Sequence, residues 1–490
     1  MKTACLNIVT TFFFHLLLIH ILQAQPISLH AENSRYLSYK GKPILLITSA
    51  EHYGAVLNLD FDYKTYLQTL ANEGMNYTRI FTGSYVEIPG SFGIENNTLA
   101  PATGKFITPW QRTEEIGIYE GEKKLNLAQW DPAYFERLKD FVSTAQELDI
   151  IVEVTLFCST YQDSYWERHP FNPGNNVNNI SNTDRKKSNT LKNGNLTNYQ
   201  KAMVNKIVVE LNEFDNVFYE IQNEPWADDP VFAMRTLKTL DPQNMRWAEQ
   251  SDTASPAILA WQKEMAATID QTEMNLPKKH LIAQNYTNFL HSIPGVEDNI
   301  DIINFHYAWP QAVWMNHAWE KPIGFDESGF SGSSDTTYLR QAWQFMLAGG
   351  AIFNNLDYSF FVGSEDGTKE NNAPGGGSTL FRKQLTYLHD FIKSVKFIQM
   401  QPDREVVYHA PGVEVQALSQ KGKEYIMCLS GPNAVHLKLK LPIGNYSYEF
   451  INPFNNQKLA SGTLKASEGI TLLEVPEFDT IAGLKILLEN

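Results

Sequence analysis

Between residues 42 and 398 the chain alternates between short apolar runs and longer stretches of helical spacing, and no other feature restricts its fold as much. "KPILLITSA" (42–50) reads as a strand. "DFDYKTYLQTLANEG" (60–74) then repeats apolar residues at Tyr63, Tyr66, Leu67 and Leu70, and Gly74 stops it. Further strands are predicted at "MNYTRIFTG" (75–83), "IIVEVTLFC" (150–158), "NVFYEIQN" (216–223), "HLIAQN" (280–285), "DIINFHY" (301–307), "KPIGFDE" (321–327) and "GAIFNNLDY" (350–358). Helical patterns separate most of them. One opens on Asp131 and Pro132, and another on Ser255 and Pro256. A third starts from an apparent capping box, "TNYQ" (197–200), and runs to Leu211. Others cover 339–349 and 380–398. Parallel strands need crossovers of this kind. Eight repeats suit a closed (β/α)8 barrel with long loops, spanning 25–400. An open doubly wound sheet would carry a glycine-rich phosphate turn after its first strand, and here that turn reads "TSAEHYGAV" (48–56).

After about Pro402 the pattern changes to short strands in strict alternation, such as "HLKLKLP" (436–442), broken by Gly, Pro and Asn. Residues 403–490 therefore read as a small antiparallel β-sandwich, a structural companion packed on the barrel. Residues 1–24 read as a cleaved secretory leader, with Lys2 followed by "FFFHLLLIHIL" (12–22). That run is too short and too interrupted to span a bilayer. The expectation is export to the periplasm or the cell exterior, with no membrane insertion. The net charge of −15 argues against a nucleic-acid partner. An aromatic content of 12% suits a folded enzyme or a sugar binder. Cys158 and Cys428, far apart in the chain, read as buried thiols. No His, Cys and Asp pattern has metal-ligand spacing, and the three glycines of "APGGGS" (373–378) lack the Lys of a phosphate loop, so neither a metal nor a cofactor is expected. The glycines read as a flexible rim.

Chemistry in a (β/α)8 barrel sits at the C-terminal ends of the strands. There the chain places Arg79 on the second strand, Asn223 and Glu224 on the fourth, His306 and Tyr307 on the sixth, and Asp326 and Glu327 on the seventh, with strand interiors that read as apolar. Two carboxyl groups facing one pocket can cleave a glycosidic bond, one as an acid and one as a nucleophile. Glu224, in "YEIQNEPW" (219–226), and Glu327 are the expected pair, about 5–5.5 Å apart if the reaction retains configuration. Asn223 is placed to bind a sugar 2-hydroxyl, and Pro225 ends the strand. Asp326, next to Glu327 on a strand, should face the other way.

"NEP" after an apolar strand, with a later Glu ending the strand in "KPIGFDESG" (321–329), resembles the large clan of retaining β-glycosidases that includes cellulases, mannanases and β-galactosidases. By that resemblance Glu224 is the general acid and base, Glu327 the nucleophile, Arg79 a support for the nucleophile, and His306 and Tyr307 contacts to nucleophile and sugar. The chain departs from that pattern in three places. His306 and Tyr307 are adjacent, so that a bulge is needed for both to face inward. Cys158 and Ser159 end the third strand where a His is usual, and Asp357 and Tyr358 end the eighth where a Trp is usual. The departures point to a distant branch of that clan, of the kind found in exported bacterial polysaccharide-degrading systems, and the expected substrate is a plant or algal polysaccharide or oligosaccharide. His52, Trp226, Trp309, Asp357 and Tyr358 are further substrate-binding candidates, with Trp314 beside them. The Asn-rich loop 159–196, with Tyr161 and Trp166, reads equally as a lid or as plain packing. The alternatives are a carbohydrate-binding barrel without catalysis, and a transglycosylase using the same residues.

Overall fold

The computed structural model describes residues 25–181, 183–236, 247–432 and 436–489; the expected leader lies outside them. Eight strands form the barrel: β1 (Leu46–Ala50), β2 (Tyr77–Phe81), β3 (Ile151–Cys158), β4 (Val217–Asn223), β5 (Ile282–Asn288), β6 (Ile302–His306), β7 (Ile323–Ser328) and β8 (Ile352–Leu356). Seven helices cross between them: α1 (Tyr63–Asn72), α2 (Pro132–Glu147), α3 (Leu196–Leu211), α4 (Pro256–Glu273), α5 (Pro310–Asn316), α6 (Asp335–Leu347) and, after β8, α7 (Thr379–Lys393). β5 passes to β6 through a loop alone. The strands pair in parallel in the order 1-8-7-6-5-4-3-2. At the remaining seam a side chain does the bridging: the Asn76 amide donates to Leu45 O (2.8 Å) and accepts from Ile47 N (3.1 Å). This is the (β/α)8 barrel that the alternation predicts.

The helix starts follow local chemistry. The Asp62 carboxylate accepts the Lys64 and Thr65 amides at the head of α1, and Asp131 accepts the Ala133 amide at the head of α2. "TNYQ" is not a capping box. α3 begins one residue earlier, at Leu196, and the side-chain Oδ1 of Asn193 accepts from both the amide and the hydroxyl of Thr197 from outside the helix. The strand interiors are not uniformly apolar either. β3 is buried along its whole length yet carries Glu153 and Thr155, β4 carries Glu220, and β6 carries Asn304, all turned into the barrel.

The C-terminal region is a sandwich of a six-stranded and a three-stranded antiparallel sheet. Alternation along Glu424–Ser430 explains its place. Met427 and Leu429 face the second sheet, whereas Ile426 and Cys428 join the barrel's core. Contact there is close, since a Cβ at Gly483 would stand 2.8 Å from Trp343 Cζ3 on α6. Both described cysteines are free and buried.

Candidate active site

Neighbours on a regular strand point to opposite faces. The chain defeats this rule at the exits of β4, β6 and β7. Glu224 follows Asn223 with φ +44°, and Tyr307 follows His306 with φ +52°. A left-handed residue of this kind costs about 1–3 kcal/mol, and at each exit it turns a second side chain inward. Between β6 and β7 the register slips: Phe305 pairs with Phe325, but His306 pairs with Glu327. This is the irregularity that the adjacent His and Tyr required. It also overturns the expectation for Asp326, which faces inward together with Glu327. Asn304 donates to Asp326 (3.0 Å), and Arg79 lies 3.6 Å from it.

Arg79, fully buried, organises the floor. Its guanidinium donates to Glu327 Oε2 (3.3 Å), Asn223 Oδ1 (2.9 Å) and Thr155 Oγ1 (3.0 Å), and forms a very short bond to Glu220. Tyr307 Oη donates to Glu327 Oε1 (2.8 Å). His306 Nδ1 shares a hydrogen bond with Glu224 Oε1 (3.0 Å) and stands 3.6 Å from Glu327 Oε1. A carboxylate oxygen of Glu224, one of Glu327 and a ring nitrogen of His306 all lie within 4.8 Å of one another.

Five carboxyl groups (Glu153, Glu220, Glu224, Asp326, Glu327) thus surround one arginine and one histidine out of water. They cannot all be ionised. Burial, with Glu220 and Asp326 nearby, pushes Glu153 well above the carboxylate range, and burial brings Glu220 up to about 7 despite Arg79. Burial pulls His306 down, but Glu327, Asp326 and Glu224 outweigh it and hold the ring well above its ordinary value. Burial raises both Glu224 and Glu327. His306 reverses this for Glu224, which ends below its ordinary value, and Glu327 remains above. Taken alone, that order would make Glu224 the anion. The donors point the other way, because Tyr307 and Arg79 both favour an ionised Glu327. The Glu224–His306 hydrogen bond holds one proton, whichever of the two atoms carries it.

Two sets of side chains, Glu220/His306/Asp326 and Glu224/His306/Glu327, bring potential metal ligands within 4.8 Å. Arg79 already stands among the carboxylates of both sets as their cation.

The other sequence candidates divide. His52 and Asn223 line the inner cavity beside the acid pair, and Trp226 lines a broader outer cavity. Tyr358 stacks on His52 at 5.5 Å and stands behind it. Asp357 does not join them: its carboxylate is bonded to Ser49 (2.6 Å), Ser359 (2.5 Å) and Arg382 (2.7 Å). Trp309 packs near Phe289 at 6.2 Å and lines neither cavity, and Trp314 lies under Arg404 of the sandwich at 4.4 Å. In loop 159–196 the asparagines serve packing. Asn172, Asn175, Asn176, Asn189 and Asn193 each donate to backbone carbonyls, whereas Tyr161 reaches the site and accepts from Asn223 (2.8 Å). "APGGGS" is a packed bridge rather than a loose rim: the Gly377 amide donates to Asp335 (2.7 Å), and a Cβ at Gly375 would stand 2.4 Å from the Tyr358 ring. Sequence reasoning missed Glu87, Phe92, Trp247 and Phe330, which complete the cavity walls. They come from loops whose composition carries no signal. Glu153 and Glu220 it could have found, as lone charges within apolar strands.

Solved structures share this fold. A Bacteroides vulgatus protein provisionally called a glycoside hydrolase superposes with a TM-score of 0.64 at 14% identity, over 95% of this chain and 83% of its own. A family 5 glycoside hydrolase from Bacteroides vulgatus gives 0.60 at 12% identity, over 94% and 93%. A third structure, called simply a glycoside hydrolase, gives 0.58 at 12% identity, over 95% and 97%. At these identities the likeness is one of fold. No family model matches the sequence, and no curated protein matches it.

Proposed function

We propose that the chain is a glycoside hydrolase that acts with retention of configuration, with Glu224 as general acid and base and Glu327 as nucleophile. One observation carries the reading: oxygens of the two carboxyl groups lie within 4.8 Å. Retaining enzymes hold their pair about 5–5.5 Å apart, and inverting ones leave about 6.5–9.5 Å for a water. In the first step Glu327 attacks the anomeric carbon. The bond to the leaving oxygen breaks, and that oxygen takes the proton held between Glu224 and His306. In the second step Glu224 takes a proton from water as the water attacks the same carbon, which frees the sugar and restores Glu327. Arg79 and Tyr307 hold Glu327 in place as an anion. Asn223, fixed by Arg79 and Tyr161, is positioned for the 2-hydroxyl. The substrate is a plant or algal polysaccharide or oligosaccharide, met outside the cytoplasm after the leader is removed.

The test separates the two acids. Glu224→Ala should still split a nitrophenyl glycoside into the glycosyl-enzyme, because that leaving group departs without a proton, and then stall. Azide, which needs no base, should restore turnover and give a β-glycosyl azide. Glu327→Ala should give at most an azide of inverted configuration. If azide rescues neither variant, or if the two behave alike on activated and unactivated substrates, the assignment is wrong.

A further inference from the structure

The two cavities meet at the catalytic pair, and they are not alike. The inner one is the smaller, about 320 Å³ against about 900 Å³ for the outer, each volume including its open mouth. Glu327 borders the inner cavity alone, whereas Glu224 borders both. A nucleophile must face the sugar it attacks, and a general acid must face the bond to the departing group. Resting on the glycosidase reading above, this fixes the direction of the substrate. The sugar to be cleaved off occupies the inner cavity, and the rest of the chain leaves through the outer one, past Trp226 and Trp247.

The inner cavity has a wall where a longer glycan would need to continue. Segment 84–99 closes it on the β1–β2 side and is tied at several points. The Glu87 amide donates to Leu99 O (2.8 Å), Arg168 donates to Glu87 O (2.8 Å), and the Glu95 amide donates to Asn372 O (3.0 Å) across the β8 loop. The Phe330 amide donates to Pro374 O (2.7 Å) on the same bridge. Lining the cavity are two polar groups that the mechanism does not use, His52 and Glu87. His52 is 8% exposed, and neither of its ring nitrogens has a hydrogen-bond partner. Glu87 Oε1 stands 3.8 Å from His52 Nε2, within ion-pair reach but too far for a hydrogen bond. A buried imidazole with an ion-pair neighbour but no hydrogen bond is costly unless something else supplies one. The hydroxyls of a sugar ring would do so.

We infer that this is an exo-acting enzyme, whose blind inner cavity takes a single neutral sugar from the non-reducing end and recognises its far hydroxyls through His52 and Glu87. Acidic sugars fit poorly, because Glu87, Glu224 and Glu327 share that cavity and His52 is the one basic side chain lining it.

The experiment uses the full chain. The probes are 4-nitrophenyl β-glycosides of glucose, galactose, mannose and xylose, and hexamers of the same sugars labelled at the reducing end. In the first few per cent of reaction, the hexamer that turns over should give free monosaccharide and labelled pentamer. Splitting of a nitrophenyl monosaccharide supports the same conclusion. Early labelled dimer or trimer means internal cleavage, which overturns this inference and leaves the hydrolase standing. No turnover on any probe overturns both. A second arm uses mono-deoxy analogues of the accepted nitrophenyl sugar. The wild type should disfavour one analogue by about 10²-fold or more, since a site built for a hydroxyl rejects a sugar lacking it. His52→Ala should lower kcat/KM on the full sugar and bring that ratio to within a few-fold of unity. Equal losses on both sugars would make His52 merely structural and end its assigned role.

Discussion

Met427, Leu429, Leu437, Phe450 and Leu484 fill the space between the sheets of the C-terminal sandwich, and none of the charged residues described after 402 is buried. At the mouth of the barrel, Arg79, His306 and five carboxyl groups are buried together. The two regions answer the same physical demand differently. Charges brought out of water cost several kcal/mol each before any pairing is counted, so a part with only a structural task avoids them. The barrel accepts that cost around Glu327, adds left-handed backbone at Glu224 and Tyr307, and offsets both with the apolar core beneath. On the proposed reading the difference assigns function to the barrel and support to the sandwich, and it can be broken experimentally.

The largest expected effect is on chemistry. Glu327→Ala should lower kcat by about 10⁴-fold or more on every glycoside, while the variant still unfolds cooperatively. A folded variant that keeps more than a tenth of the activity would break the contrast at its centre. Arg79→Ala comes next. It leaves Glu220, Asp326 and Glu327 without their cation, and removing one partner of a buried pair costs about 3–5 kcal/mol. Chemical denaturation should record that loss together with a fall in kcat. The sandwich should behave otherwise: Leu484→Ala should cost about 2–5 kcal/mol of stability and leave kcat/KM of the folded protein unchanged. A fall in kcat/KM there would mean that the sandwich shapes the site.

The smallest effect concerns protons. Glu220, ordinarily near 4.5, is pushed up to about 7 by burial. Between those values the folded protein binds a proton that the unfolded chain has released. This group's contribution to stability is therefore complete below about 4.5 and lost as the pH rises through about 7, by up to about 3 kcal/mol. Denaturation midpoints of the wild type should fall from pH 5 to pH 8 more steeply than those of Glu220→Gln, which carries no titrating group at that position. Parallel slopes would show that Glu220 does not hold the proton.

The same contrast explains what could be read from the sequence. Period-two and helical spacing report which face of an element is apolar, so the barrel and the sandwich were legible, as was the place of Glu224 and Glu327 at strand exits. Spacing says nothing of a register slip or a positive φ. Asp326 was therefore expected to face away, and Tyr307 needed a bulge that only the structure could locate. "IIVEVTLFC" looked apolar because its single acid sits among eight other residues, yet Glu153 points into the barrel toward Asn304. Two tryptophan candidates line neither cavity, for another reason. Trp309 and Trp314 do follow a strand exit, but α5 carries Trp314 away toward Arg404.

The account stands or falls on two carboxyl groups with oxygens within 4.8 Å of each other, near the roughly 5–5.5 Å of a retaining pair. The direct measurement is the configuration of the first sugar released from a 4-nitrophenyl β-glycoside, followed by proton NMR before the anomers equilibrate. The β anomer should appear first and the α anomer only later, by mutarotation. An α anomer formed first would mean a single displacement and would contradict the assignment of Glu327 as nucleophile.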